Sequence, residues 1–405
     1  MSKAVPYFSE LPSEYIFPII EGKLIQLKEK FPDAGVLNLG IGDISLPLAP
    51  TLVKAICNAV EEMGTKEGMH GYGPSSGYAF LKEKIVEAEY KDFSISPDEI
   101  FISDGTNSDC VNLLELFSRD SIIAIIEPTY PAYLHSSIIA GRKNNLLLIA
   151  CEEKTGFVPQ PPDVACDIIY LCTPNNPTGV AMNYDELGAW VAYAKKHNAI
   201  LIHDHAYHGF ITSDNVPKSI YEIEGAKDIA IELKTFSKSA GFTGLRCAYS
   251  VIPKSIYAYS NDKKISIHQL WNKRQNIKSN GVAYPIQKGA EAFFTPQGQK
   301  ETNAQIQTYL NSGKILREGL TACGYTIFGG VDAPYIWIKT PGNIPSWEFF
   351  DILLEKCHII GIPGKGFGTY GEGYLRLSTF ITEEIAKQAI QRIQKLEQLC
   401  DLQQI

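Results

Sequence analysis

The sequence lacks the features that mark a membrane protein, a secreted protein or a nucleic-acid-binding protein. No apolar run approaches the roughly 18 residues that a transmembrane helix needs. Residues Met1 to Pro6 do not begin a secretory signal, so we expect a cytoplasmic protein. Positive charge is in deficit, with 37 Lys and Arg residues against 45 Asp and Glu residues and a net charge of −8. This balance argues against nucleic acid and anionic membranes as partners.

Cysteine pairs, internal repeats and low-complexity tracts are also lacking. The nine cysteines are scattered from Cys57 to Cys400, form an odd number and include no Cys-x-x-Cys spacing. Several lie in apolar runs, which is typical of reduced core residues in a reducing compartment. The sequence therefore predicts reduced thiols and a fold without repeats or flexible linkers.

The composition suits a large globular enzyme with two domains. The 405 residues are 45% hydrophobic and 20% charged, which is enough chain for two substantial cores. The pattern of apolar residues changes near residues 50 and 295. We predict an N-terminal arm at residues 1–49, a large domain at residues 50–294, and a smaller α+β domain at residues 295–405, which the arm joins.

Apolar runs typical of buried strands alternate with helical patterns. The strand-like runs lie at Ile122–Ile126, Ile168–Cys172, Ile200–His203, Ile229–Leu233, Cys247–Ile252, Tyr335–Ile338 and Tyr374–Leu377. Apolar residues at helical spacing lie within Leu52–Met63, Val111–Phe117, Leu187–Ala194 and Tyr309–Leu320. This alternation predicts an α/β fold whose central sheet is mainly parallel and covered by helices on both faces.

A lysine among small and hydroxylated residues marks the segment from Thr235 to Arg246. A Lys amine is a nucleophile only when its charge is suppressed, and the neighbours of Lys238 are not acids. The segment suits a Schiff base between Lys238 and pyridoxal 5′-phosphate (PLP), with the phosphate held by Thr235, Ser237 and Arg246. An ordinary lysine between a strand and a loop would give the same local pattern.

An aspartate follows the apolar run that begins at Ile200. The pattern predicts a buried strand that delivers Asp204 at its carboxyl end, where open α/β sheets bind ligands. A carboxylate there can pair with the protonated pyridine nitrogen of PLP, while Tyr207 donates to the phenolic oxygen of the ring.

Histidines beside Asp204 offer a rival interpretation, a metal site built from His203, His205 and His208. Because side chains alternate along a strand, His203 and His205 face one side and Asp204 faces the other. The sequence shows no further Cys or His spacing typical of a metal centre. We therefore predict no metal.

A third apolar run ends in the turn from Thr173 to Gly179. Pro, Asn and Gly turns of this kind hold side-chain amides in fixed positions. Asn176 can then donate to the same phenolic oxygen as Tyr207. The order of Asn176, Asp204 and Lys238 along the chain disfavours a plain strand-to-helix connection.

With these motifs the chain resembles the fold type I PLP-dependent aminotransferases. The resemblance implies that PLP is the cofactor and that Lys238, Asp204 and Tyr207 are catalytic. It extends to the turn of Gly105, Thr106 and Asn107, where the start of a helix binds the cofactor's phosphate by electrostatics.

Two further segments carry the family pattern. Glu127–Pro131 matches the loop whose aromatic residue stacks on the cofactor, which nominates Tyr130. Tyr374–Ser378 matches the strand whose arginine forks the substrate's α-carboxylate, which nominates Arg376. Packing beneath a loop is the alternative for Tyr130, and a surface position is the alternative for Arg376.

A narrower resemblance is to the LL-diaminopimelate aminotransferase branch of that family. It rests on Tyr15–Pro18, Leu39–Asp43, Gly71–Gly73, Gly77, Glu127–Tyr133, Lys238–Gly244 and Ser279–Gly281. It implies that Tyr15, Tyr72 and Asn280 cross a homodimer interface into the neighbouring site and that Tyr72 also binds the cofactor. The substrate-binding set implied in this way is Tyr15, Gly40, Tyr72, Asn107, Tyr130, Asn176, Asn280 and Arg376.

The branch implies a reaction as well. L-Glutamate would give its amino group to tetrahydrodipicolinate, producing LL-diaminopimelate, a lysine and peptidoglycan precursor, and 2-oxoglutarate. Ser75 and Asn107 depart from the branch, where a glutamate and a lysine are usual, so the substrate range is less fixed than the reaction.

Two alternatives stay open at this point. One is another aminotransferase or a lyase of the same fold, acting on aspartate, aromatic or sulfur amino acids. The other is a non-catalytic binding or regulatory protein, which the set of Asn176, Asp204, Tyr207, Lys238 and Arg376 disfavours because simple binding does not need a Schiff-base lysine.

Overall fold

The computed structural model describes residues 2–11, 16–32, 35–261 and 263–403. Helices α1 to α12 span, in chain order, Ile16–Lys30, Pro50–Met63, Ala79–Ile85, Thr106–Leu113, Ala132–Ile139, Tyr184–His197, Phe236–Ser239, Ile267–Lys278, Tyr284–Phe293, Pro296–Ala322, Ser346–Ile352 and Glu383–Gln403. Strands β1 to β15 span Leu37–Asn38, Ile100–Ser103, Ile123–Glu127, Leu146–Ala150, Ile168–Cys172, Ile200–Asp204, Ala230–Thr235, Ala248–Val251, Tyr257–Ser260, Lys263–Ser266, Ile327–Gly329, Tyr335–Lys339, Ile359–Ile360, Ile362–Pro363 and Tyr374–Ser378. Short 3₁₀ and π segments connect several of these elements.

Seven strands form the central sheet, in the order β2-β8-β7-β6-β5-β3-β4. All neighbouring pairs from β7 to β4 are parallel, and β8 is antiparallel to both of its neighbours. The predicted α/β fold with a mainly parallel sheet is confirmed.

Side chains that alternate along the strands pack into two separate cores. Ile123 and Ile125 of β3 pack in one core, whereas Ala124 and Ile126 pack in the other. Because successive side chains point to opposite faces, both faces of the sheet are covered by apolar groups.

The carboxyl ends of the parallel strands meet at one edge of the sheet. Register pairs Cys172 with Asp204, and Asp204 with Leu233. Ser103 and Thr235 both pair with Ala248, so β2 ends at the same edge as β7. Loops that follow these strands therefore lie side by side, which is where such sheets bind ligands.

A second sheet of four antiparallel strands, in the order β11-β12-β15-β14, belongs to the C-terminal part. The N-terminal strand β1 pairs in parallel with β13, so Leu37 lies beside Ile359. This pairing accords with an N-terminal arm that joins the C-terminal part, although the boundaries at residues 49 and 294 remain predictions. Within the described part of the chain, no helix is long and apolar enough to cross a membrane.

One helix ends earlier than its apolar pattern indicates. The spacing of Val111 to Phe117 predicts a helix to that point, but α4 ends at Leu113 and a 3₁₀ turn follows. The guanidinium of Arg142 donates to the carbonyls of Leu114 and Phe117 at 2.7 Å each. These carbonyls therefore have a tertiary partner in place of a further helical turn.

Candidate active site

A cavity of about 420 Å³ lies at the carboxyl edge of the large sheet. The predicted site residues that line it are Thr106, Asn107, Tyr130, Asn176, Asp204, Tyr207, Thr235, Ser237, Lys238, Arg246 and Arg376. The fold thus gathers in one cavity side chains that the sequence spreads from position 106 to position 376.

Lys238 lies in the short helix α7, directly after β7. The Oγ1 of Thr235 caps this helix by accepting a hydrogen bond of 3.1 Å from the Ser237 N–H. The Lys238 amine donates to the carbonyl of Gly42. Burial lowers the pKa of Lys238 from 10.5 to about 8, against the opposing charge of Asp43. Much of the amine is therefore neutral near pH 8 and can act as a nucleophile.

Asp204 is the last residue of β6 and is 6% exposed. The Tyr133 hydroxyl donates to its Oδ2 at 2.5 Å, and the Ala206 N–H donates to its Oδ1 at 3.2 Å. Burial raises the pKa of Asp204, and the hydrogen bond from Tyr133 opposes that shift. The two donors fix a carboxylate in the cavity wall, where it can pair with a cationic N–H group.

Arg376 is a buried arginine of β15 with two firm contacts. Its Nη1 donates to Asn176 Oδ1 at 2.7 Å, and its Nη2 donates to the Gly40 carbonyl at 2.7 Å. Its Nε has no hydrogen-bond partner among the described residues. Because Arg376 occupies the Asn176 oxygen, the amide N–H groups of Asn176 remain available as donors.

The start of α4 and the end of the lysine segment form an anion-binding corner. Gly105 precedes α4 with a φ of 150°, and a Cβ there would lie 2.3 Å from Arg246 Nη2. Only glycine permits this close approach of the guanidinium to the helix start. The Arg246 Nη1 lies 3.4 Å from Ser237 Oγ, which in turn lies 3.0 Å from Thr235 Oγ1. Backbone N–H groups, a guanidinium and hydroxyls are the donor set that a phosphate needs.

A family model described as "Aminotransferase class I and II" matches residues 34–393. This chain belongs to the class I and II aminotransferase family. Members of this family are PLP-dependent. The lysine, the buried carboxylate and the anion-binding corner fit the aldehyde, the pyridine nitrogen and the phosphate of that cofactor.

Several relatives of this aminotransferase are similar over nearly their whole length. Proteins named LL-diaminopimelate aminotransferase from Methanosphaera stadtmanae and from Lawsonia intracellularis are each 44% identical, with 98% of this chain and 99% of each relative covered. The solved structure of the L,L-diaminopimelate aminotransferase from Chlamydomonas reinhardtii is 36% identical, covers 98% of both chains and superposes with a TM-score of 0.91.

Some predicted site residues of this aminotransferase lie outside the cavity of their own chain. Tyr72 is 91% exposed, and Asn280 lines a separate pocket with Arg274. Gly40 contacts Arg376 through its carbonyl, whereas residues 41–43 line the cavity. Tyr15 lies outside the described residues.

The two positions that depart from the branch pattern are also placed. Ser75 donates a hydrogen bond to Asn276 Oδ1. Asn107 lines the cavity, where its Oδ1 accepts a hydrogen bond of 3.4 Å from the Tyr130 hydroxyl. This contact brings Asn107 beside the aromatic residue nominated for ring stacking.

Sequence reasoning missed several side chains of the aminotransferase cavity, among them Tyr133, Tyr335 and Asp43. Tyr133 ends the motif Glu127–Tyr133, three positions after Tyr130, and this proximity was a usable signal. Asp43 likewise ends the Leu39–Asp43 motif. For Tyr335 the sequence offers no signal, because its place depends on the second sheet.

The histidines of β6 form a buried cluster with an acid of β7. His203 and His205 share one face, as predicted, and their Nδ1 atoms lie 3.4 and 3.3 Å from Glu232 Oε1. Among the described residues this is the one group with metal-ligand spacing. Glu232 also accepts a hydrogen bond of 2.6 Å from Tyr90, and the Lys234 ammonium lies 3.8 Å from it. The carboxylate is thus already paired with protein groups, and the absence of a metal remains a prediction.

Proposed function

We propose that this aminotransferase uses PLP to exchange amino groups between L-glutamate and the open-chain keto form of tetrahydrodipicolinate, giving 2-oxoglutarate and LL-diaminopimelate. The observation that carries the proposal is the joint placement of a lysine of lowered pKa, a buried carboxylate and a buried arginine around one cavity. The names and extensive identity of the relatives support the choice of substrate.

The cavity has residues suited to each part of the cofactor. When bound, PLP withdraws electrons from the substrate's Cα and carries the amino group between the two half-reactions. The residues that would hold it are the start of α4 with Ser237 and Arg246 at the phosphate, Asp204 at the pyridine nitrogen, Asn176 and Tyr207 at the phenolic oxygen, Tyr130 at the ring face and Lys238 at the aldehyde.

Lys238 moves the proton at the substrate's Cα. An amine with a pKa of about 8 accepts and returns a proton readily near neutral pH. The amine donates to the Gly42 carbonyl, two residues along the chain from the Gly40 carbonyl that Arg376 contacts. The base is therefore close to the group that binds the substrate.

Arg376 holds the α-carboxylate of each substrate. Its guanidinium is buried, and the rings of Tyr335 and Phe367 lie 4.5 and 4.9 Å from its central carbon. The hydrogen bonds to Gly40 and to Asn176 set the plane of the guanidinium, which is the fork that binds the carboxylate, before a substrate arrives. A pre-oriented fork binds a carboxylate in two places, which a lysine cannot do.

The first prediction is a pattern of reactivity toward single amino donors. Purified protein loaded with PLP is mixed with one amino donor at a time, and the change in visible absorbance follows each half-reaction. We expect LL-diaminopimelate and L-glutamate to react, L-aspartate and L-tyrosine to show at least a roughly tenfold lower kcat/KM, and meso-diaminopimelate to react detectably.

The same experiment separates the alternatives. A much faster reaction with aspartate or tyrosine would overturn the substrate assignment and leave amino transfer standing. No absorbance change with any donor would favour a non-catalytic binding protein. Release of free ammonia and a thiol, with a sulfur amino acid added as a further donor, would indicate a lyase.

The working unit we propose is a two-fold symmetric homodimer with shared sites. The support is that Tyr72 is 91% exposed and that Asn280 lies outside the cavity of its own chain. By the family resemblance, both side chains complete the neighbouring site, and symmetry makes that exchange mutual.

The second prediction tests this sharing by mixing two inactive variants, Lys238→Ala and Asn280→Ala. Each heterodimer would hold one intact site, built from the normal Lys238 of one chain and the normal Asn280 of the other. Random reassembly should restore about a quarter of the wild-type activity. The matched control mixes Lys238→Ala with Asp204→Ala, whose defects share one cavity, and should restore none. Equal recovery in both mixtures would refute shared sites.

A further inference from the structure

We propose that Tyr335 is a positioning residue that directs the hydroxyl proton of Tyr207 toward the phenolic oxygen of the cofactor. The inference rests on the proposed function, because it concerns how one ring contact is tuned. It assigns a role to the buried hydroxyl of Tyr335, in addition to the packing of its ring against Arg376.

Tyr335 lies at the start of β12 and lines the cavity together with Tyr207 and Arg376. It is 1% exposed, and its hydroxyl lies 2.9 Å from the hydroxyl of Tyr207. The two rings cross nearly at right angles, with centroids 5.2 Å apart. A Cβ on Gly42 would lie 2.5 Å from the Tyr335 hydroxyl, so the backbone leaves this oxygen little freedom.

The count of protons fixes the direction of the hydrogen bond. A phenol has one proton to donate, and Tyr207 can give it either to Tyr335 or to the cofactor. Tyr207 can serve the cofactor only if Tyr335 donates to Tyr207. Among the described residues, Tyr335 provides the one hydrogen bond to the Tyr207 hydroxyl.

A chain of two hydroxyls strengthens the final bond. Donation by Tyr335 polarises the Tyr207 O–H group, and such chains strengthen each bond by about 10 to 30%. The guanidinium of Arg376 lies against the Tyr335 ring, with its central carbon 4.5 Å from the centroid. Burial raises the pKa of Tyr335, and the positive charge of Arg376 opposes that shift. The cation therefore makes Tyr335 a better donor.

Other titratable groups face this pair from the surrounding elements. Cys172 of β5 and Asp43 of the N-terminal segment act on Tyr335 electrostatically, and Asp204 and Lys238 line the same cavity. The test must therefore remove one hydroxyl and leave these groups in place.

Tyr335→Phe removes only that hydroxyl and keeps the ring between Arg376 and Phe380. The measurement is the pH at which the change in visible absorbance of the PLP-loaded protein is half complete, called the midpoint below. When the Lys238-linked cofactor loses a proton, its phenolic oxygen carries more negative charge. A weaker hydrogen bond from Tyr207 therefore destabilises the deprotonated form of the cofactor. We expect the midpoint to rise by about 0.3 to 1 pH unit, as the loss of part of one hydrogen bond implies.

Two comparisons isolate the relay, which is the hydrogen bond from Tyr335 to Tyr207 followed by the one from Tyr207 to the cofactor. Tyr221→Phe removes a buried hydroxyl whose oxygen lies 3.1 Å from the Ala230 carbonyl and 3.1 Å from the Val251 carbonyl, away from the cavity, and should leave the midpoint unchanged. Adding Tyr335→Phe to Tyr207→Phe should raise the midpoint no further than Tyr207→Phe alone, because the relay acts only through Tyr207.

Each result decides the inference. Equal midpoints for wild type and Tyr335→Phe, or additive shifts in the double variant, would overturn it while the proposed function stands. A wild-type protein that gains no visible band with PLP would overturn both the proposed function and the relay.

Discussion

Replacing Lys238 by alanine should leave a protein that binds PLP but transfers amino groups at least about four orders of magnitude more slowly than wild type. Cofactor binding depends on the anion-binding corner, Asp204 and the ring contacts, all of which the substitution leaves intact. Proton movement at Cα depends on the amine, which the substitution removes. Single-turnover absorbance with glutamate, beside an equilibrium titration with PLP, measures the two properties separately.

A chemical control makes the result specific to the amine. Small primary amines such as methylamine fit a cavity of about 420 Å³ and should restore part of the lost rate to Lys238→Ala. They should do nothing for Asp204→Ala, whose lysine is present. Near-normal transamination by Lys238→Ala without added amine would contradict the assigned role.

The second large effect is expected at Asp204. Asp204→Ala should lower kcat by about two to three orders of magnitude, because it removes a fixed negative charge from a buried position in the cavity wall. It should also weaken PLP binding, since a cationic ring nitrogen would lose its buried partner. Steady-state rates at saturating glutamate and keto acid, and a separate PLP titration without glutamate, measure these changes.

Tyr133→Phe is the matched control for Asp204. It keeps the carboxylate and removes only the hydroxyl that donates to it at 2.5 Å. We expect a loss of about tenfold or less, which corresponds to a single hydrogen bond. A loss at Tyr133→Phe as large as that at Asp204→Ala would mean that the negative charge itself is not what matters.

The sequence predicts well which side chains meet at the carboxyl edge of the sheet, because the signals there are local. The run Ile168–Cys172 is a strand with those bounds, and Asp204 ends its strand as the apolar pattern indicates. A strand followed by a turn or a helix start leaves few choices for where Asn176 and Lys238 can lie. Local pattern and fold agree there because parallel strands end at a common edge.

The parts that the sequence could not predict depend on contacts between distant segments. Tyr133 reaches Asp204 across 71 positions, and Tyr335 reaches Tyr207 across 128 positions. No periodicity specifies such a pair, because each partner is also an ordinary core aromatic. The end of α4 is another case, since it depends on Arg142, which is 28 positions from Leu114.

The pairing of β1 with β13 has a consequence for the order in which the site can form during synthesis. The residues of one chain that we propose to hold the cofactor lie within positions 105–246, which leave the ribosome well before the chain is complete. The Arg376 guanidinium is held in place by both ends of the chain. Arg376 donates to the Gly40 carbonyl, and the Ser378 N–H donates to the Leu39 carbonyl at 2.6 Å. A growing chain can therefore assemble early the part of the cavity proposed for the cofactor, but it completes the part proposed for the substrate only near the end of translation.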